Sequence, residues 1–348
     1  MRRLASDRHN LWQLLRPLLW ECGVSPGRRI RTLGHTVMGA ALAEQLAPLN
    51  VEHIHAHHGY FASWMALAAA RLLGIGFSFT LHGSDLLQRA DLLSPKLRAC
   101  QFCVTVSDFN RQYILRNYPS TPSEKIIVQR LGVDRVLSWP TPASAAEADR
   151  RFCLLSVGRL HRVKDYRFLI QACAALRDQG LDFLCWIVGE GPERPALERQ
   201  IMALGLQGRV YLTGHVPRTD LQGYYRYADL VVMTSRSEGI PVVLMEAMAH
   251  EKLVLAPAIT GIPELVEHQR TGFLYQPGSL PDFVSAVSWI QGHKASLAGI
   301  QRAAAASIAA SYNRQRNLRA FAEQFLARIS QSEGDHAHPV LQQIRLSV

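Results

Sequence analysis

Two carboxylates, Glu238 and Glu246, stand with seven residues between them in Ser237-Glu238-Gly239-Ile240-Pro241-Val242-Val243-Leu244-Met245-Glu246. The apolar run at 230–233 predicts a strand, which puts Glu238 in the turn that follows it. Pro241 fits the first turn of the next helix, where its missing N–H costs nothing. Free N–H groups at a helix start, with Gly239 allowing close approach, suit an anion. Glu246 would lie roughly 7.5 Å further along the axis, at about 1.5 Å per residue. A nucleoside diphosphate fits this layout. Its phosphates would lie at the helix start, with Glu246 on a ribose hydroxyl and Glu238 on a sugar beyond the phosphates. On bare spacing alone, an amphipathic helix with an exposed Glu near each end is the better reading, and it is the surrounding residues that favour the nucleotide.

Other chemistry-bearing residues cluster nearer the start. His53, His55, His57 and His58 fall within six residues, and His82 opens His82-Gly83-Ser84-Asp85. Imidazoles at this density suit a metal, but no cysteine or carboxylate set joins them, and no metal site is read here. Cys100 and Cys103 form a lone C-x-x-C, read as core packing. Six cysteines in 348 residues are too few for a disulfide scaffold and point to a reducing cytoplasm. No apolar run reaches the ~18 residues of a membrane span. The opening residues lack the apolar core of a secretory signal.

Formal charge is +10, and residues 1–31 hold seven Arg against two acids, half of that excess. Just inside lies an apolar stretch, 12–20, with Trp at each end. Basic residues beside Trp and Leu suit an anionic membrane surface. A helix packed on the body of the protein is the preferred reading, with contact to such a surface as the alternative. No helix-turn-helix, zinc-finger or RNP pattern accompanies the charge, so no nucleic-acid partner is expected.

These residues must be positioned by a framework. Strands are expected at 51–55, 77–81, 102–106 and 126–129, with a helix at 62–73. A Pro- and Ala-rich linker follows at 139–150. Beyond it, strands at 152–157, 183–188, 210–213, 230–233, 253–256 and 273–275 alternate with helices at 166–177, 194–203, 219–227 and 242–250. Closing helices are expected at 281–290, 297–310 and 317–328, then a loose tail. Alternation of this kind predicts parallel sheets with helices on both faces, in which ligands bind beyond the carboxyl ends of the strands.

The segment 237–249 resembles the E-x7-E motif of the retaining glycosyltransferases of family 4, with the GT-B fold. Leu155-Ser156-Val157-Gly158-Arg159-Leu160 with Lys164-Asp165 is similar to that family's V-G-R-L…K-G signature. Ile187-Val188-Gly189-Glu190-Gly191-Pro192 is similar to its V-G-x-G-P turn, and Leu212-Thr213-Gly214-His215-Val216 to its F-x-G-x-V. Ala258-Ile259-Thr260-Gly261-Ile262-Pro263-Glu264-Leu265-Val266 resembles G-I-P-E-L-V and is read as structural. The wording around Phe77-Ser78-Phe79-Thr80-Leu81-His82 resembles the exopolysaccharide and colanic-acid branch.

The resemblance implies two Rossmann-like domains facing a cleft, at 1–140 and 151–312. A linker at 141–150 would join them, with a closing helix at 313–330 and a tail at 331–348 beyond. It implies transfer, with retention, of a sugar from a nucleotide-diphosphate donor to a hydroxyl of a glycan or lipid-linked acceptor in polysaccharide biosynthesis. Catalysis would be metal-independent, without a cofactor, and cytoplasmic or peripheral on the membrane. Arg159 and Lys164 would bind the pyrophosphate, and a forked guanidinium beside an ammonium is the apt pair for it. Glu238 and His82 would hold the donor sugar and Glu246 the ribose. Gly189, Gly191, Val216, Gly239, Ile240, Pro241 and Val242 would line the donor. The family's opening strand and glycine-rich loop have no counterpart here. A first domain with fewer strands than the second is therefore expected, with a nucleotide-sugar-binding chain that does not catalyse as the alternative. Glu251 also stands where the family has Gly, which should perturb a helix end rather than the chemistry.

Overall fold

Most strands in this chain read as apolar runs because helices cover both faces of the sheets they build, the His-rich strand His53–His57 being the exception. The computed structural model describes residues 12, 14–16, 25–88, 90, 92–134 and 151–330. These form two units. The first takes residues up to 105, 111–129 and those from 318, and the second takes 106–110 and 130–317. The expected linker and the tail lie outside the described residues.

The first unit runs α1 (Pro26–Leu46), β1 (His53–His57), α2 (Phe61–Leu73), β2 (Gly76–Leu81), α3 (Ser84–Leu87), α4 (Leu93–Ala99), β3 (Phe102–Thr105), α5 (Asp108–Asn117) and β4 (Ile126–Val128). Its four strands are all parallel, in the order β1-β2-β3-β4. One face buries Ala56, Phe77, Phe79, Leu81 and Cys103 against Trp64 and Leu67 of α2. The other face buries Phe102, Val104 and Ile127 under Phe321, Phe325 and Ile329 of the closing helix, Arg314–Ser330. That helix therefore belongs by its packing to the first sheet, although it follows the second unit in the chain.

The histidine run alternates across β1, as a strand requires. His53 Nε2 and His55 Nδ1 meet Ser78 Oγ at 2.6 and 2.7 Å, and His55 Nε2 meets Thr80 Oγ1 at 2.8 Å. Both rings lie against Phe102 and Phe325, at centroid distances of 5.1–6.4 Å. Burial lowers both imidazoles, His55 to about 4 with further lowering by its histidine neighbours. These two histidines are thus part of the sheet's packing. Among the described residues, no three His, Cys, Asp or Glu side chains are grouped to hold a metal. Of the stretch 12–20, Trp12 is exposed while Leu14 is buried in the first unit's core, and the remainder lies largely outside the described residues.

The second unit runs β5 (Phe152–Val157), α6 (Tyr166–Asp178), β6 (Phe183–Val188), α7 (Arg194–Ala203), β7 (Val210–Gly214), α8 (Arg218–Tyr227), β8 (Leu230–Val232), α9 (Val242–Ala249), β9 (Leu253–Pro257), α10 (Ile262–Leu265), β10 (Phe273–Tyr275), α11 (Leu280–His293) and α12 (Ala298–Ser311). Its six parallel strands are ordered β10-β9-β8-β5-β6-β7. Leu154, Cys185, Leu230 and Leu255 point into one core with α6 and α11. Their neighbours Leu155, Val188, Val231 and Val254 point into a second core with α9 and α12. From β5 the chain winds outward through β6 and β7, then returns to β8 on the other side and winds outward through β9 and β10. The strand order reverses between β5 and β8, the switch point at which doubly wound sheets place their ligands. Among the described residues the first sheet has four strands against six in the second.

Candidate functional site

The turns after β5 and β8 leave the sheet side by side at this switch point. Three contacts strap them together. The Arg236 N–H donates to Val163 O at 2.8 Å, Thr234 Oγ1 donates to Lys164 O at 2.9 Å, and Arg236 Nε donates to Asp165 Oδ2 at 2.7 Å. Asp165 has φ 50°, the left-handed region that short polar side chains tolerate best after glycine. The strapped turn brings Lys164 Nζ to 2.6 Å from Glu238 Oε1, with side chains 22% and 14% exposed. Two of the sequence-derived site residues are thus paired. Arg159 is exposed, and its guanidinium makes no hydrogen bond or ion pair among the described residues.

Gly189 and Gly191 are required by packing. At Gly189, φ is +142° and a Cβ would lie 2.0 Å from Gly158 O, while at Gly191 it would lie 2.4 Å from Leu160 O. The Gly158 and Leu160 N–H groups donate to Val188 O and Glu190 O, both at 2.9 Å, and the Gly189 N–H donates to Gly214 O at 2.9 Å. Bare backbone here lets three turns lie against one another, and it sets where Arg159 emerges. Val216 is half-buried against the second core.

The helix starts at Val242, where it was expected, but Pro241 lies just outside its first turn. Pro241 is extended, with φ −78° and ψ 118°, and precedes the helix instead of opening it. Its carbonyl accepts from Leu244 and Met245, the first bonds of α9, so it acts as the cap. Gly239, Ile240 and Pro241 are buried, while Val242 is exposed at the first turn. Thr260 Oγ1 donates to Glu238 O at 2.6 Å, so the 258–266 segment buttresses the turn that carries Glu238.

Glu246 is gripped at both oxygens. Tyr225 Oη donates to Oε2 at 3.0 Å and Arg218 Nη2 to Oε1 at 3.3 Å, with the carboxylate side chain 18% exposed.

In the first unit, His82 follows β2 directly. Buried Asp85 accepts from the His82 and Gly83 N–H groups through Oδ1, and from Gly59 N–H through Oδ2, each at 2.9 Å. The His82 ring lies 4.6 Å from that of His58, and its Nε2 is 3.3 Å from His57 Nδ1. Burial, and then His58, lower its pKa, so the imidazole is neutral at neutral pH.

Sequence reasoning missed Thr234, Arg236, Arg218 and Tyr225, and read Thr260 as part of a structural segment. No spacing signal ties Tyr225 to Glu246, twenty-one residues later on another helix. Arg236 sits two residues before Glu238, but nothing in the local sequence ties it to Asp165, seventy-one residues earlier.

Two family models match the chain in tandem, Glycosyltransferase Family 4 over residues 19–136 and Glycosyl transferases group 1 over residues 151–292. A putative colanic acid biosynthesis glycosyltransferase of Escherichia coli is 30% identical over 77% of this chain and 66% of its own length. An amylovoran biosynthesis glycosyltransferase of Erwinia amylovora is 32% identical over 58% of this chain and 51% of its own. An alpha-D-kanosaminyltransferase of Streptomyces kanamyceticus is 28% identical over 68% and 66%. The chain thus spans between about half and two thirds of the length of these relatives. Among solved structures, Anabaena HepE in complex with UDP and glucose superposes with TM-score 0.72 at 22% identity, over 83% of this chain and 81% of that one. A sucrose-phosphate synthase of Thermosynechococcus elongatus gives 0.73 at 20%, over 84% and 77%. Two parallel-sheet domains of this kind are the GT-B architecture, and the chain is built of a glycosyltransferase family 4 domain followed by a glycosyl transferases group 1 domain.

Proposed function

We propose that this chain transfers a sugar from a nucleoside-diphosphate sugar, UDP being the nucleotide to test first, to a hydroxyl of a glycan or lipid-linked acceptor in polysaccharide assembly, with retention at the anomeric carbon. The observation that carries this reading is the Lys164–Glu238 pair at the switch point, with the exposed Arg159 guanidinium beyond the end of β5 and the open start of α9 following Glu238. The relatives' names supply the class of product, and the UDP complexes of a structural neighbour supply the nucleotide.

In this reading Arg159, Lys164 and the first N–H groups of α9 take up the charge that develops on the departing diphosphate. Stabilising that charge is the main catalytic term. Glu238 accepts from hydroxyls of the donor sugar, Glu246 from the ribose, and neutral His82 offers an imidazole to the sugar. No side chain is assigned as nucleophile. The acceptor hydroxyl attacks from the face the diphosphate leaves, and a leaving phosphate oxygen takes its proton. The bond from the anomeric carbon to the diphosphate breaks as the new glycosidic bond forms.

Arg159→Ala and Lys164→Ala each remove a charge-assisted contact worth roughly 1.5–3 kcal/mol. UDP affinity measured by calorimetry should fall about tenfold or more in each, with the melting curve retained. Unchanged UDP binding in both variants would sink the assignment. Transfer measured over a panel of UDP-sugars and glycan acceptors tests the reaction, and tight donor binding without turnover would favour the alternative of a non-catalytic binding chain.

A further inference from the structure

Both Glu246 oxygens are held by side chains of the neighbouring helix. Arg218 and Tyr225 are seven residues apart on α8, two turns along one face, and they bracket the carboxylate that α9 presents. Tyr225 is 2% exposed, and its ring stacks on His250, just past the end of α9, at 5.4 Å and 17°. Its hydroxyl therefore has a fixed place. Burial, and then the nearby Glu246 carboxylate, raise its pKa, so the phenol stays protonated and donates. Each Glu246 oxygen receives one donor from the protein and keeps a second acceptor site. Two vicinal hydroxyls are the partner that pattern suits.

We infer that Tyr225, assisted by Arg218, is a positioning residue that aims the Glu246 carboxylate at the two ribose hydroxyls and so sets the preference of the site for ribonucleotides over deoxyribonucleotides. This inference rests on the reading of Glu246 as the ribose ligand. Tyr225 touches no ligand in this scheme. It acts by removing the rotamer freedom Glu246 would otherwise lose on binding.

The test is the ratio of affinities for UDP and 2′,3′-dideoxyuridine diphosphate, measured by calorimetry on the full chain. The native protein should prefer UDP. Tyr225→Phe keeps the ring and its stack on His250 and removes only the hydroxyl. It should lower the UDP preference at least threefold while leaving dideoxy binding unchanged, which a general loss of structure would not do. Arg218→Gln, at an exposed position, should lower the preference in the same sense and serves if the Phe variant melts early. Glu246→Ala is the control and should abolish the preference. If Glu246→Ala abolishes it while folded Tyr225→Phe and Arg218→Gln retain it in full, the positioning role is refuted and the ribose reading stands. If Glu246→Ala itself retains it, the ribose reading has failed and the inference fails with it.

Discussion

Replacing Glu238 by Gln should tighten the binding of bare UDP. The carboxylate lies 2.6 Å from Lys164 Nζ, and neither side chain is more than 22% exposed, so the ammonium is neutralised before any ligand arrives. A diphosphate that uses Lys164 must share it with Glu238, which also repels the phosphates directly. At about 5 Å, and with an effective dielectric between ~20 and ~80, one such repulsion is worth roughly 3 to 1 kcal/mol, and about 1–2 kcal/mol suits a site this close to solvent. The corresponding gain in UDP affinity is about five- to thirtyfold. The intact donor behaves differently. Its sugar hydroxyls lose an ionised acceptor, worth roughly 1.5–3 kcal/mol, which cancels or reverses the gain. Calorimetry of UDP and of UDP-glucose against native protein and Glu238→Gln at low salt reads both effects, with a melting curve to show that the variant is folded. UDP binding that is unchanged or weaker in folded Glu238→Gln would refute the reasoning, because it would mean that the carboxylate does not compete for Lys164.

Two further outcomes follow from the packing. Gly189→Ala places a Cβ 2.0 Å from a backbone oxygen at φ +142°, so it should cost about 3 kcal/mol or more, and a fall in chemical-denaturation stability below about 1 kcal/mol would contradict the fold at this turn. His55 has an imidazole pKa lowered from 6.5 to about 4, so on acidification the unfolded chain takes up the proton first. Its contribution is complete above about pH 6.5 and is lost as pH falls towards 4. The upper bound is about 3 kcal/mol, less for the ring's partial exposure, and His55→Gln should flatten the urea midpoint between pH 7.5 and 4.5.

Much of the fold was legible because parallel strands covered on both faces are written as apolar runs, and those at 152–157, 183–188 and 273–275 were read with both ends in place. Tertiary placement was less legible. The closing helix carries Phe321, Phe325 and Ile329 at helical spacing, but nothing in that spacing says which sheet they cover. The histidine run showed its period of two, yet only the register His55↔Ser78 and His57↔Thr80 reveals that its partners are hydroxyls. In the site, Glu238, Glu246, Lys164 and Arg159 stood out by type and motif, whereas the groups that hold them did not. Asp165 and Glu251 illustrate the difference. Each stands where the resembling family carries Gly, and each adopts φ near +50°, at 50° and 54°. The backbone need survives the loss of glycine. At Asp165 the side chain is tied to Arg236, a contact made by residues far apart in the chain and invisible to local reading.

The contacts that the site residues make with one another bear on how turnover would proceed in the proposed reaction. Lys164 is committed to Glu238, and Glu246 is committed to Tyr225 and Arg218, while the Arg159 guanidinium has no protein partner among the described residues. An arriving anion is therefore attracted first by Arg159, and must take Lys164 in competition with a carboxylate. A ligand carrying both phosphates and sugar hydroxyls gives Lys164 and Glu238 a new partner each, so the exchange leaves neither charge stranded. A bare diphosphate satisfies Lys164 and leaves Glu238 without its cation. The same pair would then favour entry of the intact donor and, once the sugar has left, departure of the diphosphate. A site built of cations alone would bind the product at least as tightly as the donor. In the proposed reaction Glu238 would serve both steps, accepting from the sugar while it is present and reclaiming Lys164 when it is gone.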